Sequence, residues 1–345
     1  MPSNIPSGPS TFVLRIALAA AAIVPLAFVL AGAQRVHLNP QFKSGQILRY
    51  RIEARTTTTG KTTTPIANPE GGSKSQQNVR LLIRLDVLDN ESAPAPTSAT
   101  NAGATATAPN APRFRATYEE SHIEIDSDAL DLASTSLEDS YHRIEGRSVE
   151  FALDANGRPT SFQGLDTIFS NPSAAAPVLS WLDGLLAPRQ LPQDGVAVGQ
   201  KWSSERPLVG AALSGLTWRS ESSYVRDDSC SVAANIAATS GPSAAPAGSC
   251  AVILTHFRIF RSGSPHSDAT PPDYRQNGLR TSGTWTGSGD SLESISLATG
   301  LLVTATQTSA QDMDYEIKSA SSGSTIHHQG QVQTQSQTTL LPGSS

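Results

Sequence analysis

Two short segments decide the fold: residues 48–55, Leu-Arg-Tyr-Arg-Ile-Glu-Ala-Arg, and residues 79–87, Val-Arg-Leu-Leu-Ile-Arg-Leu-Asp-Val. In both, apolar residues alternate with charged residues. Because successive side chains of a β-strand point to opposite faces, a period of two collects the apolar residues on one face. The pattern predicts half-buried strands of an antiparallel sheet, with one face against a core and the other in solvent.

The same alternation recurs through most of the chain, so we predict a mainly β fold. Further strands are predicted at residues 114–125, 148–153, 157–163, 216–225, 251–260, 279–287, 291–297, 301–309, 314–319 and 325–339. The polar residues 56–65 and 71–77 are interpreted as the connection between the first two strands.

One central segment has the spacing of an amphipathic helix. Its apolar residues at 178, 181, 182, 185 and 186 fall on one face of a 3.6-residue period. Pro172 and Pro177 suit a first helical turn, where a missing amide costs no hydrogen bond, and Pro188 ends the element. A weaker helical turn is predicted within residues 128–137.

The N-terminal residues point to export. Residues 16–33 form an uncharged apolar run that follows Arg15 and ends in Ala31-Gly32-Ala33, which predicts a secretory signal cleaved between Ala33 and Gln34. The alternative is an uncleaved anchor, with membrane contact only through residues 12–33. Pro25 interrupts the run and favours cleavage. We therefore expect a periplasmic or extracellular protein, with inner-membrane anchoring as the alternative.

The organisation predicted for the rest of the chain has three parts. Residues 34–170 form a first β-half, residues 171–190 the helix and residues 191–345 a second β-half. Two tracts rich in small and polar residues, 92–112 and 233–248, are predicted to be disordered loops. The segment Phe42-Lys-Ser-Gly-Gln-Ile-Leu48 resembles Val196-Ala-Val-Gly-Gln-Lys-Trp202. Duplication and the ordinary recurrence of turn residues are both open explanations.

The chain has two cysteines, Cys230 and Cys250. Neither belongs to a Cys-x-x-Cys motif, which is the spacing typical of redox or metal sites. In an oxidising compartment, two such cysteines form a disulfide. A Cys230–Cys250 disulfide is therefore predicted.

Motifs for specific chemistry are scarce. A net charge of −5 without clusters of lysine and arginine argues against a nucleic-acid partner. The chain has no Gly-x-Ser-x-Gly elbow and no phosphate-binding glycine loop, and its seven histidines lack the spacing of a metal site. We predict no catalytic residues, cofactor or metal, and the sequence argues against an enzyme without excluding one.

The four tryptophans have two interpretations. Trp181 lies on the predicted helix, and Trp202, Trp218 and Trp285 lie on or beside strands. Core packing is the favoured interpretation, because a tryptophan buries a large apolar area. The alternative is that they line an apolar pocket beneath the helix.

The two Gly-Gln segments, with the proline-bounded helix between them, resemble exported bacterial envelope proteins that are similar to the lipoprotein carriers LolA and LolB. This resemblance implies a curved antiparallel sheet, a half-barrel, covered by a helix. It also implies a hydrophobic concavity that holds acyl chains, with a lipid or a lipoprotein as partner. It assigns no individual binding residue.

Three classes of function follow from these observations. The first is an envelope protein that binds a lipid, lipoprotein or other apolar ligand in the concavity of the sheet. The second is a structural or protein-interaction module of the cell envelope without a small ligand. The third, which the absent motifs disfavour, is a hydrolase.

Overall fold

The computed structural model describes the part of the chain from Arg35 onward, with several gaps. The described residues are 35–63, 72–89, 112–128, 132–154, 157–169, 175–186, 191–192, 194–208, 211–230 and 248–342. The predicted signal segment, with Ala31, Ala33 and Gln34, lies outside them. So do the two predicted loops, except for Pro112 and Gly248.

Eleven strands form one antiparallel sheet, which confirms the prediction of a mainly β fold. They are β1 (Ile47–Thr63), β2 (Ser73–Leu88), β3 (Arg113–Ser127), β4 (Ser148–Leu153), β5 (Pro159–Gln163), β6 (Lys201–Pro207), β7 (Leu216–Ser229), β8 (Ser249–Arg261), β9 (Leu279–Ser296), β10 (Leu302–Ser319) and β11 (Thr325–Leu340).

The strand order β5-β4-β3-β2-β1-β11-β10-β9-β8-β7-β6 divides the sheet into two meanders. Strands β1 to β5 form the first meander and strands β6 to β11 form the second. The two meanders join where β1 pairs with β11, from Tyr50 opposite Leu340 to Thr63 opposite His327. The sheet is not closed into a barrel, and β5 and β6 are its edge strands.

Several strands are longer than predicted. β1 continues to Thr63 and β2 begins at Ser73, so the interpretation of residues 56–65 and 71–77 as a connection was wrong for most of these positions. Threonine is β-branched and fits a strand, and β11 pairs with β1 along this whole polar stretch. β9 and β10 each join two predicted strands in the same way.

Among the described residues, three α-helices accompany the sheet, where the sequence predicted one helix and a weaker turn. The predicted central helix is confirmed as α2 (Ala176–Leu186). The weaker turn is part of a longer helix, α1 (Leu132–Ile144), and a short helix, α3 (Pro272–Gln276), was not predicted. Helices α1 and α2 contribute Tyr141, Ile144, Val178 and Leu182 to the main hydrophobic core.

A tight turn precedes β1. Gly45 has a positive φ of 74°, which favours glycine, and its amide donates to Val87 O at 2.9 Å. The side-chain Oε1 of Gln46 accepts a hydrogen bond from the amide of Lys43 at 3.1 Å. The glycine sets the turn, and the glutamine side chain closes it.

The turn before β6 has the same construction. Gly199 has a φ of 84°, and its amide donates to Tyr224 O at 2.7 Å. Gln200 Oε1 accepts a hydrogen bond from the amide of Ala197 at 3.1 Å. The similarity of the two Gly-Gln segments therefore extends to their backbone geometry.

Substitution of two glycines, one in the sheet and one in α2, tests how tightly the sheet is packed. A Cβ on Gly289 in β9 would lie 2.4 Å from Phe257 Cζ and 2.3 Å from Thr308 O, so Gly289→Ala forces backbone and ring to move. We expect a loss of about 1–3 kcal/mol in the free energy of unfolding, measured by urea titration.

The matched control is Gly184→Ala in α2. A Cβ on Gly184 meets no atom within 4 Å, so alanine only improves helix propensity. A gain of up to about 1 kcal/mol is expected. Equal effects of the two substitutions would contradict the close approach of Phe257 to β9.

Candidate binding face of the sheet

The inner face of the sheet is the face that carries Leu48, Tyr50 and Ile52 of β1, against which α2 packs. At this end of the strands the inner face is apolar across the first meander. Its fully buried members on β1, β2, β3 and β4 include Leu48, Tyr50, Ile52, Leu81, Ile83, Leu85, Phe114, Tyr118 and Phe151. It is the largest apolar surface of the sheet, and α1 and α2 cover it.

Helix α2 is held on this surface by apolar packing and by hydrogen bonds to β3 and to α1. Val178, Leu182, Leu185 and Leu186 are buried against the sheet. The buried hydroxyl of Tyr118 in β3 donates to Val178 O at 3.0 Å, and burial raises the pKa of Tyr118. This hydroxyl is therefore protonated and available as a donor at physiological pH.

A second contact joins α2 to α1. The indole Nε1 of Trp181 donates to Tyr141 Oη at 2.8 Å. Burial raises the pKa of Tyr141, with the hydrogen bond from Trp181 acting in the opposite direction. The two helices thus form one cover over the apolar part of the inner face.

The charged end of α2 lies near both edges of the sheet. Burial raises the pKa of Asp183, and the positive charges of Arg158 and Arg206 oppose this rise. Arg158 follows β4, and Arg206 belongs to the edge strand β6. Charges from residues near both edge strands therefore act on the one carboxyl group of α2.

Next to the apolar surface, a polar belt crosses the inner face from β6 to β2. The register aligns its members across eight strands: Ser204, Ser220, Ser222, Thr255, Ser291, Gln307, Ser309, Thr334, Ser336, Thr56 and Gln77. Their hydroxyl groups pair with one another, with oxygen distances of 2.7 Å between Ser204 and Ser220 and 2.8 Å between Ser222 and Thr255. The polar belt offers hydrogen-bonding groups without a formal charge.

Beyond the polar belt, aromatic rings line the inner face of the second meander. Trp218 stacks on Phe257 with the ring centroids 4.0 Å apart, and the guanidinium of Arg206 lies 5.2 Å from the Trp218 centroid. Trp285 lies parallel to Tyr315, and its Nε1 donates to Gln311 at 2.9 Å. The rings of Trp218 and Trp285 both pack against a small cluster around Leu213 and Ile259.

The structure divides the four tryptophans among three clusters. Trp181 belongs to the main core, Trp202 packs with Tyr224 and Val196, and Trp218 and Trp285 share the third cluster. Only Trp218 and Trp285 are therefore brought together. For Trp181 and Trp285, the indole N–H has a protein acceptor.

Three open grooves occur among the described residues. One of about 700 Å³ lies along β1, β2, β10 and β11 and is lined by charged, threonine and glutamine side chains such as Arg55, Arg80 and Gln335. One of about 460 Å³ lies at the far ends of β1, β2 and β11. The third, of about 410 Å³, separates β3 from α1. Their linings are largely polar.

The predicted disulfide is present. Cys230 and Cys250 form an S–S bond of 2.05 Å, which ties the residue after β7 to the start of β8. The amide of Cys230 also donates to Gly248 O at 2.7 Å. A disulfide between neighbouring strands is compatible with an exported protein.

Other chemistry-bearing residues are dispersed. Within the described ranges, no group of three His, Cys, Asp or Glu side chains is arranged to hold a metal ion. His256 contacts Asp290, and His327 Nε2 lies 2.7 Å from Asp314, both in exposed positions on the sheet. A search of the described helices found none that is long and apolar enough to cross a membrane.

Comparison with known proteins adds no relative: the chain matches no family model and no curated protein.

Sequence reasoning missed the polar belt and the groove beside α1. The belt had a visible signal, because Ser, Thr and Gln alternate along residues 304–309 and 331–338. Its continuity across the sheet depends on strand order and register, which one sequence does not determine. The groove depends on α1, whose residues 132–144 contain three serines and a threonine and only a weak apolar stripe.

His328 gives a pH-dependent test of the inner face. Its ring lies 5.0 Å from the Tyr315 ring, and Nδ1 lies 3.1 Å from Thr62 Oγ1. Burial lowers the pKa of His328, with the charge of His327 as a smaller cause. The unfolded chain therefore binds a proton at His328 more readily than the folded protein does, and the free energy of unfolding falls as the pH drops through about 6.5.

The measurement is the urea midpoint at pH 7.5 and at pH 5.5 for the wild type and for His328→Gln. We expect the wild type to lose more stability on acidification than the variant loses. An equal loss in both would contradict the lowered pKa of His328 in the folded protein.

Proposed function

We propose that the protein is an exported binding protein that holds the apolar chain of a lipid or a lipoprotein against the inner face of its sheet, beneath α2. The observation that carries this proposal is the position of α2. Its apolar side chains occupy the aliphatic part of the inner face, the surface that an acyl chain would require. In this proposal α2 is a cover that the ligand displaces.

Burial of the apolar side chains of α2 and burial of an acyl chain contribute similar free energies. Burying an aliphatic side chain contributes about 1.5–3 kcal/mol, so the four buried residues of α2 contribute about 6–12 kcal/mol. An acyl chain contributes about 0.8 kcal/mol for each buried CH₂, so about twelve CH₂ groups would contribute about 10 kcal/mol. An exchange of helix for ligand is therefore close to balanced, as reversible carriage requires.

The polar belt supports an amphipathic ligand over a purely apolar one. On the same face, Thr56 and Gln77 lie next to Ala54 of β1 and Val79 of β2, which belong to the main core. Uncharged hydroxyl and amide groups can bind the ester or sugar part of a ligand whose chain lies beneath α2. The predicted export signal supports an encounter with such a ligand outside the cytoplasm, and the disulfide is compatible with it.

The test compares two buried tyrosines whose hydroxyl groups donate hydrogen bonds to different elements. Tyr118 donates to Val178 O in α2, whereas Tyr50 donates to Leu302 O in the sheet at 3.1 Å. Removal of one such hydrogen bond costs about 1 kcal/mol. If α2 covers the site, Tyr118→Phe makes its displacement easier and raises the apparent affinity for an acyl ligand up to about fivefold.

The probe is a long-chain fatty acid carrying an environment-sensitive fluorophore, titrated into wild type, Tyr118→Phe and the control Tyr50→Phe. The control loses comparable stability and keeps the wild-type affinity. Equal affinities in all three proteins, or native mass spectra with only bare protein at every lipid loading, would refute the proposal.

A further inference from the structure

The third groove, between β3 and α1, contains the one buried side-chain polar atom without a hydrogen-bond partner among the described residues. This atom is Oγ of Ser121, a residue that is 3% exposed. A buried hydroxyl without a partner costs about 1–3 kcal/mol. Ser121 lines a groove of about 410 Å³, together with Ile123 and Ile125 of β3 and Tyr141 of α1.

The same part of β3 is a free strand edge. β4 pairs with β3 only from Arg113 to Thr117, and Tyr118 then bonds to Arg147 and Gly146. Beyond this point, within the described residues, no backbone group pairs with the outer edge of β3 up to Asp126.

The register shows which groups this edge presents. The backbone N–H and C=O groups of Tyr118 point away from β2, toward Arg147 and Gly146. A bulge at Glu119 follows, because Ile83 lies opposite Tyr118 whereas the adjacent Leu82 lies opposite Glu120. At the far end, Asp128 bonds toward β2, through Lys74 O. Between these two ends, successive residues direct their backbone groups to opposite edges of the strand. The N–H and C=O groups of Ser121, Ile123 and Ile125 therefore point away from β2, into the groove.

A second free edge of the sheet shows how this protein covers such groups elsewhere. β9 extends beyond its partner β8 from Leu279 to Thr286. There the amide of Ala269 donates to Thr281 O at 2.8 Å, and Arg261 Nη1 donates to Gly283 O at 3.1 Å. Open edges invite strand pairing, so covering them is the usual solution. At Ser121–Ile125 a groove is present instead.

The charges around the groove indicate the partner. Glu124, Glu138 and Glu145 line it, with His122 and His142, and no lysine or arginine is among the lining residues. The adjacent strand positions Glu120 and Asp126 are also acidic.

We propose that the free edge of β3 binds a basic, extended peptide segment of a partner protein by strand addition. The outward groups of Ser121, Ile123 and Ile125 form the backbone hydrogen bonds, as in other cases of β-augmentation. An amide or side-chain donor of the peptide satisfies Ser121 Oγ, and its basic side chains lie beside the three glutamates. The site adjoins the helical cover, because Tyr141 of its lining accepts a hydrogen bond from Trp181 of α2. Its pairing groups, however, lie on the backbone edge of β3, so the peptide measurements test it without reference to lipid binding.

The probe is the labelled peptide Ac-Lys-Val-Lys-Val-Lys-Val-Lys-NH₂, with binding followed by fluorescence anisotropy on the full protein. Two matched peptides accompany it. One has the amides of its pairing edge N-methylated, and the other has glutamate in place of lysine. We expect binding of the first peptide only, with slower hydrogen exchange at the amides of Ser121, Ile123 and Ile125.

Protein variants separate this role from a structural one. Ser121→Ala removes a hydroxyl that has no partner, so it leaves the melting temperature unchanged or higher and weakens peptide binding about fivefold. Glu138→Gln and Glu145→Gln each weaken binding about twofold to threefold, whereas Glu316→Gln on β10 has no effect.

Three results would overturn the proposal. The first is equal binding of the N-methylated peptide, and the second is unchanged exchange at the three amides. The third is self-association of the protein through β3 in sedimentation experiments, since a second copy would then be the occupant of the edge.

Discussion

The pairing of β1 with β11 is the constraint on which the rest of the structure depends. It joins the first and last strands of the described chain through fourteen residue pairs, from Tyr50 with Leu340 to Thr63 with His327. The Tyr50 hydroxyl reaches one strand further and donates to Leu302 O. Without this ladder the two meanders would each expose a long central edge. Because the pairing residues lie almost 300 positions apart, we expect the native sheet to form late and slowly.

Alternation in the sequence predicted most of the strands and the two faces of β1 and β2, the 3.6-residue spacing predicted the central helix, and the two cysteines predicted the disulfide. Alternation failed where both faces of a strand are polar. Along Thr56–Thr63 every residue is hydrophilic or glycine, so the period of two disappears although the backbone continues in register with β2 and β11. What maintains these positions is the neighbouring strand on each side, which is information about topology. The same reason explains why the polar belt was visible only after the register was known.

The inner face changes character along the strands, and the change has a structural cause. Where α1 and α2 lie on the sheet, the inward residues are large and apolar, since a helix and a sheet must bury their apolar faces together. Where these helices end, the inward residues become serine, threonine and glutamine, which bond to one another in place of a covering layer. The boundary between Ala54 and Thr56 on β1 is therefore also the boundary of the main core that the two helices complete. An amphipathic ligand would match this boundary along its length.

An open sheet of eleven strands must also prevent unwanted pairing at its edges, and the chain uses several devices to do so. The edge strand β5 has only five residues, and β6 ends in Glu205-Arg206-Pro207, which adds charge and removes an amide. Near both edge strands the charges of Arg158 and Arg206 also act on the carboxyl group of Asp183 in α2. The short β5 and the charged, proline-terminated β6 therefore leave little regular edge for pairing with another chain. In the proposed function, displacement of α2 would expose the apolar face of the first meander while these edge devices stay in place.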